Sequence, residues 1–359
     1  RLSILTAIIL AAAALMASFQ NCYACTGITL KAKDGSTVVA RTIEWAASDN
    51  DCRWVVVPRG HIWKSFIPGG GTGRSFTNVY GYVGVSVVQD ELMMEGMNEK
   101  GLSAGLFYFP DYGKYEEYSE ANYETNISDF QLVSYILGRC ATVDEVKAEI
   151  ARVHIHGFDP RSSTVHWRFA EPSGRQIVLE IIDGKCIFYE NNLGVLTNSP
   201  SFDWQLTNLN NYVNLLPGRT EPHTLGNMSL SSFGGGSAMI GLPGDFTPPS
   251  RFVRAAFFQS TAPQKPDAEG SVFTAFHILG SMEIPIGAQF PVDETPADIP
   301  SATQCTCVTD MSGLKFYYRS MYDGGIRCID LKEIDFKKIG LKSEPLVPSK
   351  KEFVHHIRF

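Results

Sequence analysis

The sequence predicts an α+β fold in which antiparallel sheets are layered with helices. Strand-like runs come in groups joined by short turn signals, which is the mark of hairpins. Helical runs cluster elsewhere instead of alternating one for one with strands, as a parallel βαβ sheet would require. No internal repeat and no Pro/Gly/Ser-rich linker divides the chain.

The first hairpin is predicted from Ile28–Lys31 and Val38–Trp45, turned at Lys33-Asp34-Gly35. A strand over Trp54–Pro58 follows. The glycine-rich stretch Gly69-Gly70-Gly71-Thr72-Gly73 reads as a solvated loop, because it lacks the GxxxxGK[ST] pattern and no helix start follows it. Tyr80–Val88 and Met93–Phe109 are strand-like, the second broken at Asn98-Glu99-Lys100-Gly101. Helices are expected over Asp129–Cys140, with Ser128 as candidate cap, and over Val143–His154. The second opens with the capping box Thr142-Val143-Asp144-Glu145. Further strands are predicted at Val165–Phe169, Gln176–Ile182 and Cys186–Tyr189, then helices at Phe202–Val213, Arg251–Gln259 and Val272–Met282. Strands at Thr306–Thr309, Lys315–Arg319 and Arg327–Asp330 close the chain.

Composition narrows the function. With 44% hydrophobic and 19% charged residues the chain reads as a packed globular protein. Its net charge of −7 is spread out, and no Lys/Arg cluster offers a nucleic-acid surface. Residues Leu2–Met16 form an apolar run of 15 behind a single charge, Arg1, with Ala24 at a plausible signal-peptidase cut. That run is shorter than the roughly 20 residues a membrane span needs, so residues 1–24 read as a cleaved signal peptide. The product is expected to be exported, periplasmic or secreted, with no membrane attachment once the signal is gone. Cleavage leaves Cys25 first in a domain of 335 residues (359 − 24) and leaves seven of the eight cysteines, an odd number consistent with one free thiol. Cys305 and Cys307 are expected to pack in the core. His154 and His156 lack partners at metal-ligand spacing, and neither metal nor cofactor is expected.

A cysteine at a mature N-terminus carries its nucleophile and its proton acceptor on one residue. A thiol with a reference pKa near 8.5 is only a few per cent thiolate at neutral pH, whereas an α-amine near 7.8 is often free to take its proton. A nearby cation would favour the thiolate further, and Arg41 sits on the returning strand of the first hairpin.

The run Cys25-Thr26-Gly27 … Asp34-Gly35 … Arg41-Thr42-Ile43-Glu44 resembles the start of the choloylglycine hydrolase family, which holds bile salt hydrolases and penicillin V acylases and belongs to the N-terminal-nucleophile hydrolases. Met97-Asn98-Glu99-Lys100-Gly101-Leu102, Leu196-Thr197-Asn198-Ser199-Pro200, Asn208-Leu209-Asn210-Asn211-Tyr212 and Ser250-Arg251-Phe252 continue the resemblance in the family's order. It implies a four-layer αββα sandwich of two antiparallel sheets flanked by helices, with residues 25–359 as one catalytic domain. It makes Cys25 the nucleophile with Arg41 beside the thiolate. Glu44 takes the place of the family's usual Asp as holder of the Cys25 amine. Asn198 is the implied oxyanion donor, and Arg251 completes the polar network. A small-molecule amide, a conjugated bile salt, is the implied substrate, with Ile43, Phe107 and Tyr108 as apolar pocket walls. The stretch 216–241 resembles the assembly loop of tetrameric members, which implies a homotetramer.

One departure stands out. Bile salt hydrolases commonly place Asn within Gly-Leu-Asn-Tyr-Pro, whereas this chain reads Gly105-Leu106-Phe107-Tyr108-Phe109-Pro110. Two readings stay open: a substitute oxyanion donor from Tyr108 or the backbone, or ordinary strand core. Penicillin V acylase activity is the alternative enzyme reading. An inactive exported binding protein with Cys25 in a disulfide is the alternative outside enzymes.

Overall fold

A computed structural model describes residues 23–159, 163–351, 353–354 and 356–358. The expected signal peptide lies outside the described residues, except for Tyr23 and Ala24 at its end. The first hairpin forms as predicted, but longer: strand β1 (Tyr23–Lys31) pairs with strand β2 (Thr37–Trp45), with Cys25 opposite Ile43 and Gly27 opposite Arg41. Gly35, at φ +90°, makes the turn that a Cβ would strain.

Two antiparallel sheets stack face to face. The first runs β1, β2, Thr303–Asp310, Lys315–Ser320, Arg327–Asp330. The second has eight strands, in the order Lys185–Glu190, Gln176–Ile182, Val165–Ala170, Ser103–Tyr108, Met93–Asn98, Tyr82–Ser86, Arg53–Val57, Lys342–Pro345. Helices Pro248–Thr261 and Ala268–Gly280 cover the outer face of the first sheet, and Leu132–Leu137 and Val143–Ile150 cover that of the second. This is the αββα order the resemblance implied.

Strand alternation assigns every inward residue to one of two layers. Ile28, Leu30, Val38 and Ala40 face the helices and pack with Phe252, Ala255, Phe276 and Leu279. Their neighbours Val39 and Ile43 face the second sheet and pack with Val83, Val85 and Met97, beside Cys305 and Cys307. Both faces of each sheet are therefore buried. All seven cysteines among the described residues are free thiols, with Cys305 and Cys307 in the core as expected.

Several boundaries differ from the sequence reading. The glycine stretch is the tip of a hairpin, Ile62–Ile67 with Gly71–Thr77, turned at Gly69 and Gly70 with positive φ. Helix Asp129–Cys140 shortens to a 3-10 turn, Asp129–Gln131, followed by Leu132–Leu137, and Ser128 makes no side-chain cap. Gln131 is diverted into bonds with the backbone of Lys64 and Phe66. The next helix stops at Ile150, because His154–His156 leaves it to pair in parallel with Asn126–Ser128. Its capping box forms with a one-residue offset. Thr142 Oγ1 accepts from Glu145 N at 3.2 Å, but the Glu145 carboxylate accepts from Ala141 N rather than from Thr142 N. Helix Phe202–Val213 gives way to a 3-10 turn after Asn208.

Asn98 ties the second sheet to its helices. Its side-chain amide donates to the carbonyls of Leu137 and Cys140, and its oxygen accepts from Lys100 N and Leu102 N. The residue is fully buried, so Asn98→Ala strands four backbone groups, each costing about 1–3 kcal/mol when left unmade. Urea denaturation of this variant should show a loss of at least ~3 kcal/mol with little change in m.

Candidate active site

Four polar residues singled out in the sequence, Arg41, Glu44, Asn198 and Arg251, converge on Cys25. Arg41 lies two residues before Ile43, the partner of Cys25, so both side chains point into the space between the sheets, and Arg41 Nη2 stands 2.6 Å from Cys25 Sγ. The guanidinium is fully buried and held in orientation by three carbonyls. Nε donates to Thr42 O (3.1 Å) and Nη1 to Met94 O (3.1 Å) and Leu106 O. The Phe107 ring lies 4.1 Å from its guanidinium carbon, a cation–π platform.

Magnitudes decide how the thiol behaves. Two unit charges 2.6 Å apart attract by about 6 kcal/mol at an effective dielectric of 20. Full burial can raise a thiol by roughly 3–5 pKa units, about 4–7 kcal/mol. The two nearly cancel. Burial leads and pushes the Cys25 thiol up, while Arg41, Arg251 and the Tyr108 backbone N–H pull it down.

Helix-facing residues hold the other side of the strand. Arg251 sits in the first turn of helix Pro248–Thr261, where a cation opposes the helix dipole. Four hydrogen bonds offset that cost. Nη1 donates to Cys25 O (2.6 Å) and Thr26 Oγ1 (2.8 Å), Nη2 to Asn198 Oδ1 (2.8 Å), and Nε to Phe246 O (2.9 Å). Asn198 Oδ1 also accepts from Cys25 N at 2.8 Å, and its Nδ2 donates to Tyr108 O at 2.7 Å. The Leu196–Asn198 segment is brought alongside by a two-way bridge between Gly27 and Leu196.

Glu44 lies opposite Ala24 and is 3% exposed. Thr303 Oγ1 donates to its Oε1 at 3.3 Å, and its Oε2 makes no hydrogen bond. Burial raises its carboxyl to about 7, against the pull of Arg251. The extra methylene relative to Asp still leaves Glu44 within the field of Cys25, and the Cys25 N–H itself is taken by Asn198.

The three expected pocket walls are placed unequally. Ile43 and Phe107 are 1% and 0% exposed, the first between the sheets and the second under Arg41. Tyr108 alone keeps partial exposure. Where the family's Asn is absent, Phe107 therefore offers a face to a guanidinium, and Tyr108 contributes backbone groups: its carbonyl to Asn198 and its N–H to the thiol.

Four buried residues that sequence reasoning missed also surround the site. His166 spans Glu180 Oε1 and Thr197 O, each at 3.1 Å, and stacks on Phe109, bracing the residue before Asn198. Arg168 pairs with Glu95 at 2.6 Å. The available signal was alternation: His166 and Arg168 interleave with Val165, Trp167 and Phe169 in a strand whose two faces are both covered. Among the described residues no cluster of His, Cys, Asp and Glu is arranged to hold a metal, and no helix is long and apolar enough to cross a membrane.

Glu44 carries a pH signature. Its folded pKa is raised, so its contribution to stability is fully present below the unfolded value near 4.5 and is lost as pH rises through about 7. In chain that still carries Ala24, Glu44→Gln should remove that loss. Melting followed from pH 5 to 8 should then show a flatter profile for the variant, with a gain at pH 8 on the order of 1–3 kcal/mol.

Comparison with known proteins agrees with the fold. Residues 25–344 match the pattern of the linear amide C–N hydrolases of the choloylglycine hydrolase family. A bile salt hydrolase/transferase of Clostridium perfringens is 33% identical over 318 residues, covering 86% of this chain and 93% of the relative. A penicillin V acylase of Pectobacterium atrosepticum is 28% identical, covering 84% of this chain and 79% of that protein. The crystal structure of a mutant conjugated bile acid hydrolase from C. perfringens superposes with a TM-score of 0.79 at 30% identity, over 93% of this chain and all of that one. The αββα sandwich is thus that of the N-terminal-nucleophile hydrolases, and the chain belongs to the choloylglycine hydrolase family of linear amide C–N hydrolases.

Proposed function

We propose that the protein is an exported amidase that hydrolyses conjugated bile salts with Cys25 as an N-terminal nucleophile. The observation that carries this reading is the 2.6 Å approach of Arg41 to a free, buried thiol whose own backbone N and O are held by Asn198 and Arg251. In this reading the α-amine of Cys25 takes the thiol proton, and Sγ forms a bond to the amide carbonyl carbon. Asn198, with its second Nδ2 proton, and backbone N–H groups bear the oxyanion. The ammonium returns its proton to the leaving nitrogen as the C–N bond breaks. Water then attacks the thioester, releasing the acid and restoring the thiol. Glu44, whose Oε2 makes no hydrogen bond, holds the amine that cleavage after Ala24 creates. Penicillin V acylase activity remains the second reading, favoured by the absence of the bile salt hydrolases' Asn at Phe107.

Residues 25–359 would form one catalytic domain. Its stretch 216–241, with Val213 just before it, exposes Leu216, Leu225, Met228, Phe233 and Ile240 on an arm carrying the hairpin His223–Leu225 with Met228–Leu230. Large exposed apolar groups on one projection suit an assembly contact, and we infer a homotetramer. Sedimentation should give four chains per particle. A Met228→Asp/Phe233→Asp variant should dissociate, and a monomeric parent would refute the assembly.

Protein purified from the exported fraction should begin at Cys25 by mass spectrometry. In a panel of glycocholate, taurocholate and penicillin V, at least one bile salt should be cleaved with kcat/KM about tenfold or more above penicillin V, a preference of ~1.4 kcal/mol in transition-state binding. Cys25→Ala should abolish turnover. Retention of Ala24 should lower kcat by roughly 10²-fold or more, because it removes the general base. Cleavage of penicillin V alone would overturn the substrate, and full activity in Cys25→Ala would overturn the nucleophile.

A further inference from the structure

We propose that Glu95 and Arg168 act as a pair of positioning residues that set the charge Arg41 presents to Cys25. The proposal rests on the reading of Cys25 as nucleophile. Glu95 Oε2 lies 4.0 Å from Arg41 Nη1, and Glu95 Oε1 lies 2.6 Å from Arg168 Nη2 and 3.2 Å from Ser103 Oγ. All three charged groups are 0–1% exposed. The Phe107 ring lies against both guanidiniums, its centre 4.1 Å from that of Arg41 and 5.7 Å from that of Arg168.

Two glycines make room for this pair. A Cβ at Gly105 would stand 2.0 Å from Glu95 Oε2, and one at Gly27 would stand 3.2 Å from Arg168 Nη1 and 3.0 Å from Phe107. Glycine weakens a strand interior, so its presence in two facing strands marks a space kept for something else. A buried ion pair is weak evidence for stability, since apolar side chains of equal volume often serve as well. Charge counting gives this one a purpose. With Cys25 as a thiol, Arg41, Arg168 and Glu95 sum to one net positive charge; with a thiolate they sum to zero. Glu95 alone would neutralise Arg41 and leave the sulfur nothing to answer. Arg168 draws Glu95 away, as the 2.6 Å against 4.0 Å contacts record.

Other groups facing Cys25 are Glu44 from β2, Arg251 from its helix, Cys307 opposite Arg41 and the Tyr108 N–H. His166 lies beyond Phe107. None of these changes in the variants below.

The test is the pH dependence of Cys25 alkylation by iodoacetamide in the purified protein, read on the Cys25 peptide by mass spectrometry. Glu95→Gln removes a negative charge and should lower the midpoint by roughly one pH unit. Arg168→Gln turns Glu95 wholly onto Arg41 and should raise it by about as much. The double variant should fall near the parent. Damage to packing alone slows turnover in both single variants but does not move the two midpoints in opposite directions. Unmoved midpoints, or shifts of the same sign, overturn the proposal. Either single variant decides by the sign of its shift, so loss of one to misfolding leaves the other. A parent whose Cys25 never alkylates overturns the nucleophile reading and this proposal with it.

Discussion

The site depends on one arrangement: a fully buried guanidinium, Arg41, pressed against a fully buried thiol. Neither group belongs in an apolar interior by itself. Burial drives the thiol towards its neutral form and would expel an unpaired arginine at a cost of several kcal/mol. Each answers the other's penalty, and the rest of the local structure keeps them in contact. Carbonyls of Thr42, Met94 and Leu106 take the remaining donors, Phe107 supports the flat face, and Gly27 and Gly105 clear the volume. The strand pairing that sets Gly27 opposite Arg41 also sets Cys25 two residues away on the same face, so register fixes the contact.

Because side chains alternate, β1 works as a partition. Its sulfur looks into the space between the sheets, where Arg41, Glu95 and Arg168 lie. Its next residue, Thr26, looks towards the helices, where it meets Arg251. The backbone of Cys25 runs in the plane between, its N–H donating to Asn198 and its carbonyl oxygen accepting from Arg251. Thiol and backbone are thereby contacted by different side chains, Arg41 at the sulfur and Arg251 with Asn198 at the backbone, although Arg251 and Glu44 also act on the thiol through their charge. Asn198 links them through Tyr108, whose carbonyl it binds and whose N–H reaches the thiol.

Much of this was legible in the sequence. Cys25, Arg41, Glu44, Asn198 and Arg251 stood at recognisable spacings, and the hairpin turn at Asp34-Gly35 gave the register joining the first three. Glu95, Arg168, His166 and Glu180 were not legible as site residues. Each lies inside a strand-like run where a polar residue ordinarily marks a solvent-facing position, and only the stacking of two sheets turns that face inward. The short ribbons were missed for a related reason. Ile62–Ile67, Asn126–Ser128 and His154–His156 owe their form to partners distant in sequence or to neighbouring elements, and local propensity is a weak guide there. Boundaries slipped where a side chain was claimed by tertiary bonds, as with Gln131 at the start of its helix.

The departure at Phe107 follows from the same constraint. A side-chain amide at that position would face Arg41 as one more dipole in an already polar pocket. An aromatic ring gives the guanidinium a weakly basic face without consuming a donor, and the same ring lies against Arg168 as well. In the mechanism proposed above, any donor lost to the oxyanion at this place is supplied by backbone groups and Asn198. Loss of one such donor costs about 2.7–4 kcal/mol where it has been measured. A thiolate made more available by the surrounding charge can offset part of that cost on the attacking side. If Cys25 is the nucleophile proposed above, the unusual Phe107 and the Arg168–Glu95 pair belong to one adjustment, in which help moves from the oxygen of the reacting carbonyl to the sulfur that attacks it.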